Sequence, residues 1–281
     1  MPSLGLSLGM GGVRVLGDAG PIYDPDAMDW FEAVESTGAT FGPDSATVSA
    51  NKTAWSNWVI AQKNAESPIE GRSNWQQLTQ EDEGFIQPMM GLSTFNVPPL
   101  FGGRTFSGFV SGDYLPATGL RGGNGRVLLA DRDWDDTPQD DFSAGIWITE
   151  AATISSTNRV LGPLNSAVNR GSVVILTDAR TRGRFRTVED AKGSTYDTGT
   201  FPRSAFMSRS ASSEFNFHNG VNYTIPRASK LTLPADVTFF GTDTNDNFGD
   251  FRGGLAFYGR SINLAAMNTA CVALSEAIVW P

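Results

Sequence analysis

The sequence predicts a mainly β protein, an antiparallel sandwich with two short helices before the strands and one helix after them. Of its 281 residues, 40% are hydrophobic, and the 31 glycines and 18 phenylalanines suit a core held between sheets that are joined by many turns. From Thr105 onward, short apolar runs alternate with turn residues. No helical pattern is interleaved with these runs, which favours antiparallel pairing.

The first twenty residues alternate apolar side chains with Gly and Ser, which is strand periodicity with too much glycine to hold a strand alone. Such a segment gains order mainly by pairing with another surface. We interpret residues 1–24 as an anchor that docks on a larger assembly, with a frayed terminus as the alternative. The residues that would dock are Leu4, Leu6, Leu8 and Met10.

Two helices are predicted within residues 25–100, which we interpret as a helical annex with an irregular linker. The first, Pro25–Ser36, has Asp24 at its N-cap and an apolar face at i, i+3, i+4 and i+7 spacing. The second runs from about residue 49 to residue 65. Neither helix has enough apolar area to stand alone, so both should pack on something larger. Prolines mark turns in residues 66–100, which are predicted to be irregular.

Residues 101–281 are predicted to form the sandwich and its closing helix. The Asn219-Gly220 pair, between two alternating runs, is a strong hairpin signal. Glycines between Gly119 and Gly125 would allow a tight corner. The closing helix would be capped by Asn263 and run from Leu264 to about Ile278. The ten candidate strands are Thr105–Val110, Arg126–Leu129, Ala144–Thr149, Ser172–Leu176, Gly183–Val188, Ser204–Arg209, Phe215–His218, Val221–Ile225, Val237–Gly241 and Gly254–Gly259.

Four features follow one another in a distinctive order. They are the helix pair, the stretches Phe109–Tyr114 and Thr118–Gly125, the stretch Ser208–Ser212 before the hairpin, and Leu255–Leu264 before the last helix. In this order they resemble phage virion structural proteins and tail fibres with concanavalin A-like lectin or jelly-roll domains. The likeness runs from about residue 25 to the end. It implies a two-sheet jelly roll, a place in the virion and contact with a glycan, and it transfers no defined sugar-binding residue.

Charge and reactive side chains argue against several function classes. The net charge of −9 and the scattered Lys and Arg disfavour nucleic acid as a partner. The one cysteine, Cys271, lies in the predicted last helix, where a small buried apolar role is expected. The one histidine, His218, makes a catalytic triad hard to assemble. No run approaches the roughly 20 apolar residues of a membrane span. We therefore expect no enzymatic activity, no membrane span and no required cofactor.

An acidic segment between residues 131 and 141 surrounds Trp134. Because its neighbours are polar, Trp134 is the aromatic side chain that we expect to contact a ligand, together with Asp135 and Asp136. A calcium loop or a glycosidase carboxylate pair would need the same segment, and an exposed acidic loop is the simpler alternative. The other aromatic side chains that could stack on a sugar, with the core as their more common place, are Trp75, Trp147, Tyr196 and Tyr223.

A second acidic segment superficially resembles the start of an EF-hand. Its sixth position is Phe248 where glycine is needed, and its twelfth is Gly254 where glutamate is needed. A hairpin loop is therefore the preferred interpretation, with calcium as the alternative. The residues that would bind calcium are Asp243, Asn245, Asp246 and Asp250.

These expectations describe a phage virion protein that docks through its N-terminus on other virion proteins and displays a lectin-like sandwich to a host-surface glycan. A homo-oligomer, with a trimer favoured, would make this display multivalent. Two alternatives stay open. One is a capsid decoration protein that stabilises the particle, and the other is a glycan-degrading enzyme of the same fold.

Overall fold

The computed structural model describes residues 21–80, 83–123, 125–133, 141–151, 158–163, 171–177, 180–186, 193–196, 203–211, 214–218, 222–226, 236–241 and 250–281. Its four α-helices are α1 (Pro25–Ser36), α2 (Ser45–Asn64), α3 (Asn74–Leu78) and α4 (Leu264–Ala277). No helix in these ranges is long and apolar enough to cross a membrane.

The strands form two antiparallel sheets. One sheet has the order β13-β12-β11-β6-β15-β4-β3, with β1 paired to β15 beside it, and the other has the order β10-β9-β8-β7-β14-β5-β2. The bounds are β1 Phe85–Pro88, β2 Arg104–Ser107, β3 Tyr114–Leu115, β4 Gly119–Arg121, β5 Val127–Asp133, β6 Phe142–Ala151, β7 Asn158–Pro163, β8 Gly171–Thr177, β9 Arg180–Arg186, β10 Gly193–Tyr196, β11 Arg203–Ala211, β12 Glu214–His218, β13 Asn222–Pro226, β14 Asp236–Phe239 and β15 Phe251–Gly259.

Aromatic side chains fill the space between the two sheets. The Phe85 ring of β1 stacks on the Phe239 ring of β14 with centroids 5.7 Å apart, and the rings of Phe240 and Phe251 stack at 5.1 Å. All four side chains are buried. The sheets therefore pack face to face over one apolar core, which confirms the predicted antiparallel sandwich.

The helices form a layer on the outer face of the larger sheet. Helix α4 lies on β11 and β12, α2 packs along α4, and α1 packs on α2. The indole of Trp147, in β6, donates a hydrogen bond to the Ser275 hydroxyl of α4 at 2.5 Å. Its neighbours Ile146 and Ile148 are fully buried as well. Both faces of β6 are thus covered, one by the second sheet and one by α4.

The helix boundaries follow the capping residues. Helix α1 has the predicted bounds, with the Asp24 carboxylate accepting from the Asp26 backbone N–H, and Asn263 caps α4 as predicted. Helix α2 begins at Ser45, four residues before the predicted start. The cause is Asp44, whose side chain accepts from the Thr47 backbone N–H. The first turn of α2 continues no apolar periodicity, so the sequence pattern did not reveal that the helix starts there.

The prediction that residues 66–100 are irregular is wrong in two places. Helix α3 forms there behind a capping box of Ser73 and Gln76. Strand β1 pairs with β15 from Phe85↔Tyr258 to Pro88↔Leu255. Four or five residues are too few to establish a periodicity, so tertiary pairing decided both elements. Each predicted strand is present with shifted ends, and β3, β4, β7 and β10 were not predicted.

The predicted hairpin and glycine corner are both confirmed. Strands β12 and β13 pair antiparallel up to His218↔Asn222, while the turn residues Asn219 and Gly220 lie outside the described residues. In the corner before β5, Gly119, Gly123 and Gly125 have positive φ.

Candidate functional site

A surface groove with a volume of about 380 Å³ lies between the helical layer and the chain that leads into the smaller sheet. One wall is a face of α1, with Asp26, Asp29 and Trp30 at i, i+3 and i+4 spacing. Trp75, near the start of α3, forms another part of the lining. The floor is apolar and consists of Pro99, Leu100 and Phe101.

Hydrogen bonds between distant parts of the chain hold the groove residues in place. The Trp30 indole N–H donates to the Pro98 backbone oxygen at 3.0 Å, which ties α1 to the floor. The floor is attached to β1, because the Ile86 N–H donates to the Phe101 oxygen and the Leu100 N–H donates to the Ile86 oxygen, both at 2.9 Å. The capping box at Ser73 sets the start of α3 and so the direction in which Trp75 projects.

Lys63 stands at the edge of the groove. Its ammonium lies 2.7 Å from carboxylate oxygens of both Asp24 and Asp26, and 5.7 Å from the centroid of the Trp75 ring. Partial burial works against the charged form of Lys63, but the hydrogen bonds to the two aspartates outweigh it and raise the pKa of this ammonium. The groove therefore already places one ammonium against an indole and two carboxylates.

Two kinds of side chain at the groove have chemistry suited to contact with a ligand. Trp75 is half-buried and Asp29 is exposed, and both line the groove. An indole stacks on the apolar face of a ring, and a carboxylate accepts from hydroxyl or ammonium groups. Asp26 and Asp29 project from the same face of α1, one helical turn apart.

The predicted ligand contacts Trp134, Asp135 and Asp136 lie outside the described residues. At the ends of that acidic segment, Asp131 is exposed on β5. Asp141 is engaged elsewhere: its carboxylate accepts from the Ser261 backbone N–H at 3.0 Å and pairs with Arg260 at 3.2 Å. The role predicted for Trp134 stays a prediction.

Of the predicted calcium ligands, Asp243, Asn245 and Asp246 lie outside the described residues. Asp250 forms a two-pronged ion pair with Arg121, at 2.8 and 3.1 Å. In the part of the chain that the structure describes, no group of three His, Cys, Asp or Glu side chains is placed to hold a metal ion.

The remaining candidates divide between the core and the undescribed part of the chain. Trp147 is fully buried under α4, so it belongs to the core and offers no stacking face. Cys271 is also fully buried, as expected, and burial raises the pKa of its thiol to about 12. The side chains of Tyr196 and Tyr223 and the docking residues Leu4, Leu6, Leu8 and Met10 lie outside the described residues.

Two of the candidate aromatic side chains are described, Trp75 and Trp147, and of these Trp75 lines a groove. Its neighbours at the groove, Asp26, Asp29 and Lys63, were not predicted to be site residues. Asp26 and Asp29 could have been paired from the predicted α1, since their spacing puts them on one face. Nothing local to the sequence joins that face to Trp75, which lies more than forty residues away.

No protein-family model matches this sequence, and no curated protein matches it. In solved structures, the chain is similar to the binding domain of botulinum neurotoxin DC in complex with rat synaptotagmin II, with a TM-score of 0.52 and 10% identity over 69% of this chain and 52% of that chain. A Trypanosoma rangeli sialidase in complex with sialic acid aligns with a TM-score of 0.48 and 10% identity over 81% of this chain and 38% of that chain.

The chain thus spans about half the length of the neurotoxin binding domain that it matches. At this level of identity the likeness is one of fold alone. This likeness in fold agrees with the two antiparallel sheets described above.

Proposed function

We propose that this chain is a non-catalytic, lectin-like attachment domain of a phage particle that binds a host-surface glycan through the Trp75 groove. One observation carries the proposal: an indole face and an exposed carboxylate border a groove of ligand size on a two-sheet sandwich. Sugar recognition needs these two groups, one for the ring face and one for the hydroxyls. The distant likeness in fold to the binding domain of botulinum neurotoxin DC adds an analogy of fold to this proposal.

Binding is favoured over hydrolysis by the placement of the acids. A glycosidase holds two carboxylates on opposite sides of the bond that it cleaves. Asp26 and Asp29 share one face of α1, and Asp26 is already paired with the Lys63 ammonium. We therefore propose that the groove holds a glycan without cleaving it. Incubation with host polysaccharide should release no reducing ends, and a release that persists after purification to homogeneity would overturn the non-catalytic assignment.

A glycan array of host-derived oligosaccharides tests the binding role. The wild-type chain should bind at least one glycan, Trp75→Ala should abolish that binding, and Trp75→Phe should retain part of it through the smaller ring. Trp134→Ala in parallel separates the Trp75 groove from the ligand site predicted in the acidic segment. Loss of binding in Trp134→Ala alone would move the site away from the groove. An array on which the wild-type chain binds nothing would refute the function.

The place in the virion is supported by the ordered resemblance to phage structural proteins and by the apolar alternation of the first residues. We propose that Leu4, Leu6, Leu8 and Met10 dock on other virion proteins and that a homotrimer displays the sandwich. Mass spectrometry of purified particles should detect the chain, and light scattering should give the mass of a trimer. Deletion of residues 1–20 should abolish incorporation and leave the domain folded; normal assembly of the truncated chain would refute the anchor.

A further inference from the structure

The charges around the groove are not balanced. Asp24, Asp26 and Asp29 supply three carboxylates, and Lys63 is the ammonium that pairs with the first two. Asp24 is further committed to capping α1. Asp29 lines the groove, is exposed, and has no ion-pair or hydrogen-bond partner among the described residues. One carboxylate at the groove is therefore left for a ligand.

Lys63 shows which kind of group this environment accepts. Its ammonium pairs with the carboxylates of Asp24 and Asp26 and lies 5.7 Å from the centroid of the Trp75 ring, and its charged form is stabilised there. A ligand ammonium between Asp29 and the same indole would meet the same two kinds of partner. A ligand carboxylate would instead meet the negative charge of Asp29 without a cation that is free to pair with it among the groove residues named above.

The floor and the buried Trp30 side chain determine which kind of uncharged ligand surface fits the groove. Trp30 is 3% exposed, and Leu100 and Phe101 are half-buried, so the interior of the groove is apolar and aromatic. A small, fully hydrated cation gains nothing from such a surface. A ring that carries an ammonium uses both parts of the groove, the indole for its face and the carboxylate for its charge.

We propose that the groove recognises an amino sugar with a free amine, a proposal that rests on the glycan-binding function proposed above. The sugar ring would stack on Trp75, and its ammonium would pair with Asp29. The negative charge of Asp29 decides the class of sugar. Hexosamines with a free amine should bind, their N-acetylated counterparts should bind less tightly, and sialylated sugars should be repelled.

Titration calorimetry on the full chain tests the sugar class with three probes: oligosaccharides of β-1,4-linked glucosamine, the same oligosaccharides N-acetylated, and a sialylated oligosaccharide. The glucosamine oligomer should bind most tightly. Asp29→Asn should weaken this binding by about tenfold, the loss expected for one charge-assisted hydrogen bond. Raising the salt concentration should weaken it as well. Glu32→Gln, an exposed change on α1 that lies outside the groove lining, is the matched control and should leave the affinity unchanged.

The outcomes separate this inference from the function on which it rests. Tighter binding of the N-acetylated or sialylated probe, lost in Trp75→Ala, would keep the glycan-binding function and overturn the assignment of an amino sugar. Equal affinities of the wild-type and Asp29→Asn chains for the glucosamine oligomer would also overturn it. Binding of no sugar, in calorimetry and on the array, would overturn both.

Discussion

The side chain of Asn51 binds both backbone groups of Val279. Its carbonyl oxygen accepts from the Val279 N–H at 2.9 Å, and its amide nitrogen donates to the Val279 oxygen at 2.9 Å and to the Phe41 oxygen at 2.7 Å. Asn51 is fully buried in α2. One side chain thus fastens the chain beyond α4 and the chain between α1 and α2 to the centre of the helical layer.

Asn51→Ala should lower the free energy of unfolding by about 2–3 kcal/mol, because three hydrogen bonds are lost and the Phe41 oxygen is left buried without its partner. Urea denaturation monitored by circular dichroism measures the change. Asn57→Ala, at an exposed position of the same helix, is the control and should alter stability by less than about 0.5 kcal/mol. Equal effects of the two substitutions would show that the Asn51 bonds contribute nothing.

Gly145→Ala should destabilise the sandwich by about 1–3 kcal/mol, since it overpacks a filled site. Gly145 pairs with Phe206 on one side and with Phe257 on the other, and the two rings lie 5.1 Å apart. A Cβ atom there would stand 2.5 Å from the Phe206 ring and 2.8 Å from the Phe257 ring. Thermal unfolding measures the loss.

The control for this change is Gly112→Ala, where a Cβ atom meets nothing within 4 Å. Its effect should stay within about 0.5 kcal/mol. Adding Phe206→Leu to Gly145→Ala should recover part of the loss, because a smaller side chain makes room for the methyl group. A Gly145→Ala protein as stable as the wild type would contradict the packing described here.

Glu83→Gln should cost about 1–2 kcal/mol, since it removes one charge from a two-pronged ion pair. Arg260 donates to both oxygens of Glu83, to Oε1 at 2.8 Å, and these hydrogen bonds raise the pKa of Arg260. Both side chains are less than a third exposed. The pair joins the end of β15 to the chain between α3 and β1, which supports one wall of the groove.

Urea denaturation of Glu83→Gln should be compared with that of Glu150→Gln. Glu150 pairs with Arg252 at 3.2 Å but is 53% exposed, so its loss should cost less than about 0.5 kcal/mol. High salt should reduce the difference in the free energy of unfolding between the Glu83→Gln protein and the wild type. A larger loss for Glu150→Gln than for Glu83→Gln would contradict the ranking by burial.

The Cys271 thiol should be inert in the folded protein. A pKa of about 12, caused by burial, lowers the thiolate fraction at neutral pH by about a thousandfold from that of a thiol with the ordinary value of 9.0. Reaction with a disulfide reagent should be slow in buffer and fast in concentrated urea. Rapid modification without denaturant would show that α4 detaches readily from the sheet beneath it.

Local sequence chemistry predicted the elements that carry their own boundary residues. Helix α1 was predicted to the residue because Asp24, Pro25 and Gly38 mark its ends and its apolar face repeats with the helical period. The fold class followed from many short apolar runs between turns. Elements without such boundary residues were not predicted. Strand β1 forms because it pairs with β15, and four residues are too few to show an alternating pattern.

The groove likewise has features that the sequence alone predicts and features that depend on the tertiary structure. The sequence by itself determined that α1 presents Asp26, Asp29 and Trp30 on one side, and that Trp75 is a candidate platform for a sugar ring. Only the tertiary structure decided that these groups meet and that Lys63 stands between them, because α1, α2, α3 and the Pro99–Phe101 segment are brought together by burial of a shared core. The physical reason is that helical period and capping act within a few residues, whereas contacts between distant segments depend on how the whole apolar surface packs.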